Sequence, residues 1–226
     1  MIRMVVLRAK VFGSSNLGIY LRVAGKYLLA PRGAGSSLRN LAERLGLSVF
    51  ETSVYESRMI GVLTAANSKA LLLPPLVSES ELRYLRDSLD MDVHALPTFK
   101  LTALGNDIIA NDYGAVVHPG FTDQELEMIS KLLGVRVRRG RVGGIPVVGS
   151  LVVANNSGCL ISPSADDSEL KGISDTLGVE CLRGTVNDGL IYVRVGLVAS
   201  DSGALVGFPT TLMEMENIAE ALKIEP

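Results

Sequence analysis

The amino-acid sequence predicts an α/β fold: a closed, pseudo-fivefold β/α propeller of five strand–strand–helix–strand units, in which the N-terminal strand completes the fifth unit. Three observations support this prediction. A glycine-led apolar segment recurs with spacings of 44, 44 and 47 residues (105−61, 149−105 and 196−149). The same order of turn, proline and helix signals follows each copy. The last unit lacks a third strand, and a strand-like segment without a unit stands at the N-terminus. Self-similarity at a period of roughly 20–50 residues is typical of propellers and other repeat folds.

The first half of each unit has the pattern of a β-hairpin. An apolar run such as 150–153 is expected to begin its first strand directly after the leading glycine, and a polar turn follows. Two hydrophobic runs across an Asn/Asp/Gly turn are typical of a hairpin. Proline has no N–H for the sheet ladder, so it ends the second strand. Pro75, Pro119, Pro163 and Pro209 lie eight residues after Asn67, Asn111, Asn155 and Asp201.

The second half of each unit has the pattern of a helix followed by a strand. Ser78 with Glu81, and Thr122 with Glu125, have the spacing of capping boxes, in which each side chain bonds a free N–H of the first turn. Glycines then supply a left-handed stop, and a further strand such as 135–138 follows. The stops are Gly46, Gly134 and Gly178.

The two ends of the chain are expected to meet. The first unit runs from about Asn16, with a turn around Gly25 and a helix over 36–45, and the last helix covers about 211–223. The N-terminal segment 4–11 resembles 135–142, so we expect it to be the third strand of the fifth unit and to close the ring, which removes a free sheet edge. The expected repeats of this single domain are 14–56, 57–100, 101–144, 145–191, and 192–226 plus 1–13.

Composition limits the class of protein. The chain has 226 residues, of which 47% are hydrophobic and 20% charged, enough for one sizeable core. No apolar run approaches the roughly 18 residues of a membrane span, and Arg3, Arg8 and Lys10 interrupt any signal-peptide core. Cys159 and Cys181 suggest neither a disulfide framework nor a metal set, so we expect a cytoplasmic protein. A net charge of −2 restricts nucleic-acid binding to a local patch.

Motifs of enzyme chemistry are scarce. No phosphate-binding loop, dinucleotide fingerprint or zinc-binding helix motif is present, and His94 and His118 occupy ordinary strand positions. The glycine-rich segment 33–37 could hold an anion on its N–H groups, although a flexible strand-to-helix connection is the favoured explanation. Fivefold toroids include enzymes that modify guanidinium groups with a cysteine, a histidine and carboxylates in the central cavity. Their nucleophile lies in the last unit, which has no cysteine here.

The remaining candidates are polar surface residues peculiar to one copy. Arg136 and Arg138 alternate with valines and should project from one face, with Arg139 and Arg141 nearby. They form either a charged edge strand or a small phosphate- or acid-binding patch. A second group stands out in the third copy, where turn chemistry and interface anchoring are both open explanations. Its members are Asn106, Asn111, Asp112 and Tyr113.

Several segments together resemble the translation initiation factor 6 family, the ribosome anti-association factors shared by archaea and eukaryotes. The resemblance covers essentially the whole chain and is to the archaeal form, because no C-terminal tail of the eukaryotic kind follows the fifth unit. The segments that carry it are 101–106, 111–119, 122–126, 147–150 and 183–187.

The resemblance implies a pentein-like toroid that binds the large (50S) ribosomal subunit at protein uL14, near the sarcin–ricin loop of the rRNA. It also implies that the bound protein sterically prevents joining of the small (30S) subunit, in translation initiation and large-subunit biogenesis. No catalysis, cofactor, metal, small-molecule substrate or membrane is implied, and the protein is expected to be a monomer. A guanidine-modifying enzyme of the same fold, or a ring-shaped scaffold for another partner, are the alternatives.

The resemblance also suggests which residues face the ribosome. It places Asn106 there, with Asn111, Asp112 and Tyr113 as its neighbours, and Arg58 occupies a similar place in the preceding copy. Charge alone adds three further candidates. These are Arg136, Arg138 and Arg139.

Overall fold

The computed structural model describes residues 5–98 and 100–224, which form five three-stranded sheets. The strands are β1 (Val5–Ala9), β2 (Arg22–Ala24), β3 (Tyr27–Pro31), β4 (Ser48–Thr52), β5 (Ala65–Ala66), β6 (Ala70–Leu73), β7 (Asp92–Ala95), β8 (Ile108–Ala110), β9 (Gly114–Val117), β10 (Arg136–Arg139), β11 (Val152–Ala154), β12 (Cys159–Ile161), β13 (Cys181–Arg183), β14 (Leu197–Ser200) and β15 (Gly203–Gly207). The helices are α1 (Leu17–Tyr20), α2 (Ser36–Arg44), α3 (Ile60–Leu63), α4 (Glu79–Ser88), α5 (Leu104–Asp107), α6 (Asp123–Leu133), α7 (Val148–Leu151), α8 (Asp167–Leu177), α9 (Val193–Gly196) and α10 (Leu212–Ala221).

Each sheet has the predicted strand order. Its central strand pairs antiparallel with the strand before it and parallel with the third strand of the sheet, as β9 does with β8 and β10. Strands β6, β9, β12 and β15 each end two residues before the proline that was predicted to stop them. The β-hairpin and the helix–strand half of the unit are therefore confirmed.

The N-terminal strand closes the ring as predicted. Strand β1 pairs parallel with β15, from Val5 opposite Gly203 to Ala9 opposite Gly207. The fifth sheet thus takes strands from both ends of the chain, in the order β1-β15-β14. Met4, the first residue predicted for this strand, lies outside the described residues.

A four-residue helical turn precedes the first strand of each unit, which corrects the prediction that the strand begins directly at the leading glycine. The turns α1, α3, α5, α7 and α9 pack against one another around the axis of the ring. A Cβ added at Gly61 would overlap the carbonyl oxygen of Gly18, and one at Gly105 would overlap that of Gly61. Because the backbones approach so closely, only glycine fits this position in four of the five turns. The fifth turn carries Arg194 there, so Arg194 and not Gly196 is the structural counterpart of Gly149.

The ring has two distinct ends. The helical-turn end carries the five short helical turns and the N-termini of the long helices. The hairpin end carries the tips of the five hairpins and the C-termini of the long helices. The hairpin tips are at Gly25, Ser68, Asp112, Asn156 and Asp201.

The long helices cover the outer face, and their ends follow the sequence signals. Both predicted capping boxes are present, and two more occur at Asp166–Glu169 and Thr211–Glu214. The predicted stops Gly46, Gly134 and Gly178 have φ of 68°, 70° and 67°. Hydrophobic clusters between sheets and helices draw residues from neighbouring units, as where Ile109 packs with Val152 and Leu177. Among the described residues, no helix combines the length and apolar character needed to cross a membrane.

Candidate docking surface and central cavity

The structure separates the group of residues predicted around Asn106. Asn106 lies in α5 at the helical-turn end, whereas Asn111, Asp112 and Tyr113 form the turn at the hairpin end. Strand β8 runs between them, so they are at opposite ends of the ring. The expectation that these four residues are neighbours on one surface is therefore wrong, because a strand converts adjacency in sequence into distance along the ring axis.

Asn111 is buried and its side-chain amide is fully used by the fold. Its Oδ1 accepts from the backbone N–H groups of Tyr113 and Gly114, both at 3.0 Å. Its Nδ2 donates to the carbonyl oxygens of Asn155 at 3.1 Å and Leu177 at 2.9 Å, which belong to the next unit. The same arrangement recurs at Asn67 and Asn155. These asparagines hold neighbouring units together.

The hydrogen bonds also correct the register of the fifth copy. Asp201 was predicted as the counterpart of Asn155, but Ser200 takes that place and Asp201 lies beside Asn156. Asp112, Asn156 and Asp201 form a linked series at the hairpin tips. Nδ2 of Asn156 donates to Oδ2 of Asp112 at 2.8 Å and to Oδ2 of Asp201 at 2.9 Å. Of the group 111–113, Tyr113 alone has an exposed side chain.

The arginines of the predicted patch mostly bond to other parts of the fold. Arg136 donates through Nε to the carbonyl oxygen of Thr176 at 3.0 Å and through Nη2 to that of Asp175. These carbonyls end helix α8, where a cation is favoured by the helix dipole. Arg138 projects from the same face, as expected, and lies against Gly172 of α8.

Arg139 projects to the other side of β10. It donates to the carbonyl oxygen of Phe121 at 2.9 Å and forms an ion pair with Asp123 at 2.7 Å. Arg183 makes the equivalent pair of contacts in the next unit, with Ala165 and Asp167. Because the same contacts occur in two units, Arg139 stabilises the structure of the repeat unit. The charges of the patch remain exposed to solvent, but their geometry favours the edge-strand explanation.

Large exposed apolar side chains concentrate at the helical-turn end. Most of those in the described part of the chain lie at this end, on its loops and turns or at the start of α10, and belong to units five, one and two. Leu212 and Met213 are 70% and 80% exposed at the start of α10. Aromatic residues and methionine, which are enriched in protein interfaces, make up most of this set. We call this set the apolar face: Phe12, Tyr55, Met59, Leu76, Phe208, Leu212 and Met213.

Two aromatic residues of the apolar face have a left-handed backbone. Phe12 (φ 52°) and Tyr55 (φ 54°) occupy equivalent two-residue turns, each closed by an isolated β-bridge. The equivalent turn at the end of the third unit has Gly143 and Gly144, which adopt positive φ without steric cost. A bulky residue in this conformation costs on the order of 1 kcal/mol or more and is commonly found where function requires it. Sequence comparison of the equivalent turns could have shown this contrast between aromatic residues and glycine.

Arg58 lies on the same end as Asn106. Its guanidinium carbon is 4.9 Å from the ring centroid of Phe12, which in turn packs edge-to-face with Tyr20 at 5.9 Å. Arginine and aromatic residues in contact are typical of the energetically important part of protein interfaces. Of the predicted residues, the structure thus brings Arg58 and Asn106 to the end that carries the apolar face, and Arg139 also lies at this end through its contacts with the start of α6.

The two cysteines belong to the core. Cys159 lies opposite Cys181 across strands β12 and β13, and both side chains are buried. Burial, together with the neighbouring Cys181, raises the pKa of the Cys159 thiol, which disfavours the reactive thiolate.

The imidazole of His118 is engaged in a local hydrogen bond, because its Nδ1 accepts from the backbone N–H of Gly120 at 2.8 Å. Burial and the charge of Arg141 lower the pKa of His118, in agreement with this neutral, accepting form.

A central cavity of about 100 Å³ opens at the hairpin end. The described residues that line it include neither cysteine nor histidine, so the thiol and imidazole that the enzyme alternative needs do not meet there. The cavity is lined by the inner strands and hairpin tips, with Arg22 and Arg194 as its basic residues.

Solved structures with this fold include ArgZ, an arginine dihydrolase from the ornithine–ammonia cycle in cyanobacteria. A mutant N-terminal domain of ArgZ with bound substrate matches 87% of this chain and 74% of that chain, at 10% identity and a TM-score of 0.51. The apo structure of ArgZ matches 83% of this chain and 29% of that chain, at 11% identity and a TM-score of 0.50. Similarity at this level of identity shows the pentein-like fold alone.

Similar sequences are translation initiation factors 6 from archaea. The protein of Saccharolobus solfataricus is 38% identical over 68 residues, 30% of each chain. That of Aeropyrum pernix is 40% identical over 73 residues, 30% of this chain and 31% of the relative. These alignments therefore span about a third of the relatives' length. The match to the eIF-6 family model is far longer, and since it extends over residues 6–221, this chain belongs to the eIF-6 family.

Proposed function

We propose that this protein binds the large ribosomal subunit and sterically prevents its association with the small subunit. The observation that carries the proposal is the family match over residues 6–221, together with the archaeal relatives named translation initiation factor 6. The protein acts in the cytoplasm, in translation initiation and in large-subunit biogenesis. It acts as a monomer and without a cofactor.

The helical-turn end is the surface that faces the subunit in this proposal. It carries the apolar face, the Arg58–Phe12 contact and Asn106. Aromatic residues, methionine and arginine are the types enriched in protein–protein interfaces, and a few of them supply most of the binding energy. The partner at this end is the ribosomal protein uL14, near the sarcin–ricin loop. A protein partner agrees with the net charge of −2, which gives the ring no general attraction to rRNA.

Steric exclusion explains how such a ring prevents subunit joining. Its five units are joined by backbone pairing between the chain ends and by buried asparagine bonds between units. A body braced in this way keeps its shape when it is bound at one end, and its other end occupies the space that the small subunit needs. This mechanism requires no bond-making chemistry, so we propose that the protein is not an enzyme. The burial of both cysteines and the raised pKa of the Cys159 thiol support this part of the proposal.

Co-sedimentation with separated archaeal ribosomal subunits tests the proposal. We expect the purified protein to pellet with the large subunit and not with the small one. We also expect the fraction of joined ribosomes to fall as protein is added, in proportion to its occupancy of the large subunit. Equal binding to both subunits, or binding that leaves joining unchanged, would contradict steric exclusion. Failure to bind either subunit would favour the alternative of a ring-shaped scaffold for another partner.

A further inference from the structure

We propose that the central cavity binds a small inorganic oxyanion, phosphate or sulfate, between the guanidinium groups of Arg22 and Arg194. This site is separate from the proposed ribosome-binding end, because the cavity opens at the hairpin end.

Arg194 breaks the pattern of its own ring of helical turns. The other four turns have glycine at this position, where a Cβ would overlap the backbone of a neighbouring turn. The fifth turn has instead the longest basic side chain, which lines the cavity and is only 7% exposed. A large charged residue at a position that needs glycine elsewhere indicates a role other than building the ring.

Arg22 breaks the pattern of the inner strands in the same way. It begins β2, and its counterparts in the other four units are small or apolar. Arg22 lines the same cavity and is 5% exposed. Each arginine is therefore the single charged member of a fivefold set. The counterparts of Arg22 are Ala65, Ile109, Val153 and Val198.

The two buried charges lack a counter-ion. Within residues 5–98 and 100–224, neither guanidinium forms a salt bridge with a carboxylate. Arg22 donates through Nη2 to the carbonyl oxygens of Gly61, at 2.8 Å, and Thr64, and Arg194 donates weakly to that of Leu21 at 3.4 Å. The Nε of each arginine is buried and has no hydrogen-bond partner among the described atoms. Burying an unpaired charge is strongly unfavourable, and two like charges in one cavity add to this cost.

The lowered pKa values of the two arginines agree with this geometry. Burial first, and then the charge of Arg194, lowers the pKa of Arg22. Burial lowers the pKa of Arg194 to about 10, so this group remains protonated at neutral pH. An anion between them would supply the missing acceptors and the missing negative charge, as guanidinium groups do with phosphate oxygens elsewhere.

The remaining charged groups at the cavity are the carboxylates of Asp112 and Asp201 on its rim. Their oxygens are already bonded, to the backbone N–H groups of Ser68 and Asn156 and to the side-chain amide of Asn156. They are held at the hairpin tips and do not neutralise the arginines below. A negative rim disfavours long polyanions such as nucleic acid. A volume of about 100 Å³ fits an ion of about five heavy atoms and is smaller than the cavities that hold organic ligands, roughly 300 Å³ or more.

Phosphate binding by the intact chain tests this proposal. We expect isothermal titration calorimetry with inorganic phosphate, at constant ionic strength in chloride, to show one saturable site per chain. Sulfate should compete for the same site. A ligand that binds the folded state and not the unfolded state stabilises the folded protein. Phosphate at 100 times its Kd should therefore raise Tm by about 5 °C or more.

Arg194→Gly is the decisive variant, because glycine already occupies this position in the other four turns and the ring should therefore still close. We expect it to lose at least tenfold in phosphate affinity and most of the Tm rise, and Arg22→Ala to behave likewise. Arg138→Ala removes the same charge from the outer surface and should leave phosphate binding unchanged. The proposal is overturned if phosphate binding is non-saturable, or if it persists unchanged in Arg194→Gly and Arg22→Ala.

Discussion

The side-chain amide of Asn111 donates to the carbonyl oxygen of Leu177, 66 residues further along the chain, at 2.9 Å. This bond joins the hairpin of the third unit to the end of a helix in the fourth. Asn111→Ala would leave the buried carbonyl oxygens of Leu177 and Asn155 without this donor, and the N–H groups of its own turn without their acceptor. We expect a loss of about 2–3 kcal/mol in the free energy of unfolding, measured with urea.

Asn106 provides the matched control for this prediction. It is half-buried at the other end of β8, and no hydrogen bond of its side chain is found among the described residues. Asn106→Ala should change the free energy of unfolding by no more than about 0.5 kcal/mol. Equal stability of the two variants would show that the amide of Asn111 does not hold the units together.

The recurring asparagines show what a sequence can predict and what it cannot. Their position in a polar turn follows from local chemistry, because an Asx side chain bonds the backbone two residues on, and this interpretation is confirmed. Their second role, donation to the next unit, depends on which helix end lies beside the turn. That neighbour is fixed by the closure of the ring, not by local sequence. The number of units, the strand order and the closing strand were accessible because each repeats a local signal.

The candidate surface was less accessible for a related reason. Residues 106 and 111 are close in sequence, and only the direction of β8 shows that they belong to opposite ends. The arginines within 136–139 were predicted to form a patch because the sequence shows their charge. It does not show the carbonyl groups to which they donate. The aromatic turn at Tyr55 follows no repeat signal, and only comparison with the equivalent glycine turn at Gly143 distinguishes it in the sequence. Properties that depend on three-dimensional neighbours were missed for this physical reason.

The glycines of the helical turns should tolerate no side chain. A Cβ at Gly105 would overlap the carbonyl oxygens of Gly61 and Thr64, which are backbone atoms and cannot rotate away. We expect Gly105→Ala to lose about 3 kcal/mol or more in stability, or not to fold. Gly172→Ala is the control, because there the Cβ would meet only the end of the flexible Arg138 side chain, and alanine favours the helix by up to about 1 kcal/mol. Thermal unfolding of both variants distinguishes the two cases, and a stable Gly105→Ala ring would contradict close backbone packing.

Ionisation of the buried Asp107 should make the folded protein less stable at neutral pH than in mild acid. Burial raises the pKa of this carboxyl from 3.8 to about 6. Between these values the folded state keeps a proton that the unfolded state has lost, so the free energy of unfolding falls as pH rises from about 4 to 6 and then levels off. Two pKa units correspond to about 3 kcal/mol at most.

The test is to compare Asp107→Asn with the parent protein by urea unfolding near pH 4.5 and near pH 7.5. The variant does not titrate, so its advantage over the parent should be larger at the higher pH by about 2 kcal/mol. The comparison between proteins cancels the other carboxylates, such as Glu214, whose lowered pKa has the opposite effect of weakening the fold in acid. A constant difference across this range would mean that Asp107 titrates normally.

The cysteines should be inert in the folded protein. Cys159 and Cys181 are buried, and burial raises the pKa of Cys159, so little thiolate is available at neutral pH. We expect iodoacetamide to label both thiols at least about 100-fold more slowly in buffer than in urea, as measured by mass spectrometry. The fully unfolded chain serves as the internal reference. Rapid labelling of either thiol under native conditions would restore the enzyme alternative.

Tyr55 offers a variant that separates binding from stability. Its left-handed turn is the counterpart of the glycine turn at Gly143, so Tyr55→Gly should leave stability unchanged or raise it by about 1 kcal/mol. Its exposed ring is an anchor of the apolar face in the proposed function, and truncating such an anchor typically costs at least about 2 kcal/mol of binding energy. We therefore expect Tyr55→Gly to bind the large subunit roughly 30-fold more weakly, measured by co-sedimentation over a range of protein concentrations.

Tyr113→Ala is the matched control, because Tyr113 is equally exposed (53% against 54%) but lies at the hairpin end. It should retain parental affinity for the large subunit if the helical-turn end is the docking surface, while Asn106→Ala should weaken binding. Loss of affinity in Tyr113→Ala with full binding by Tyr55→Gly would reverse the orientation of the ring on the ribosome. Because neither tyrosine is buried and the glycine variant relieves a strained turn, a change in affinity cannot be attributed to unfolding.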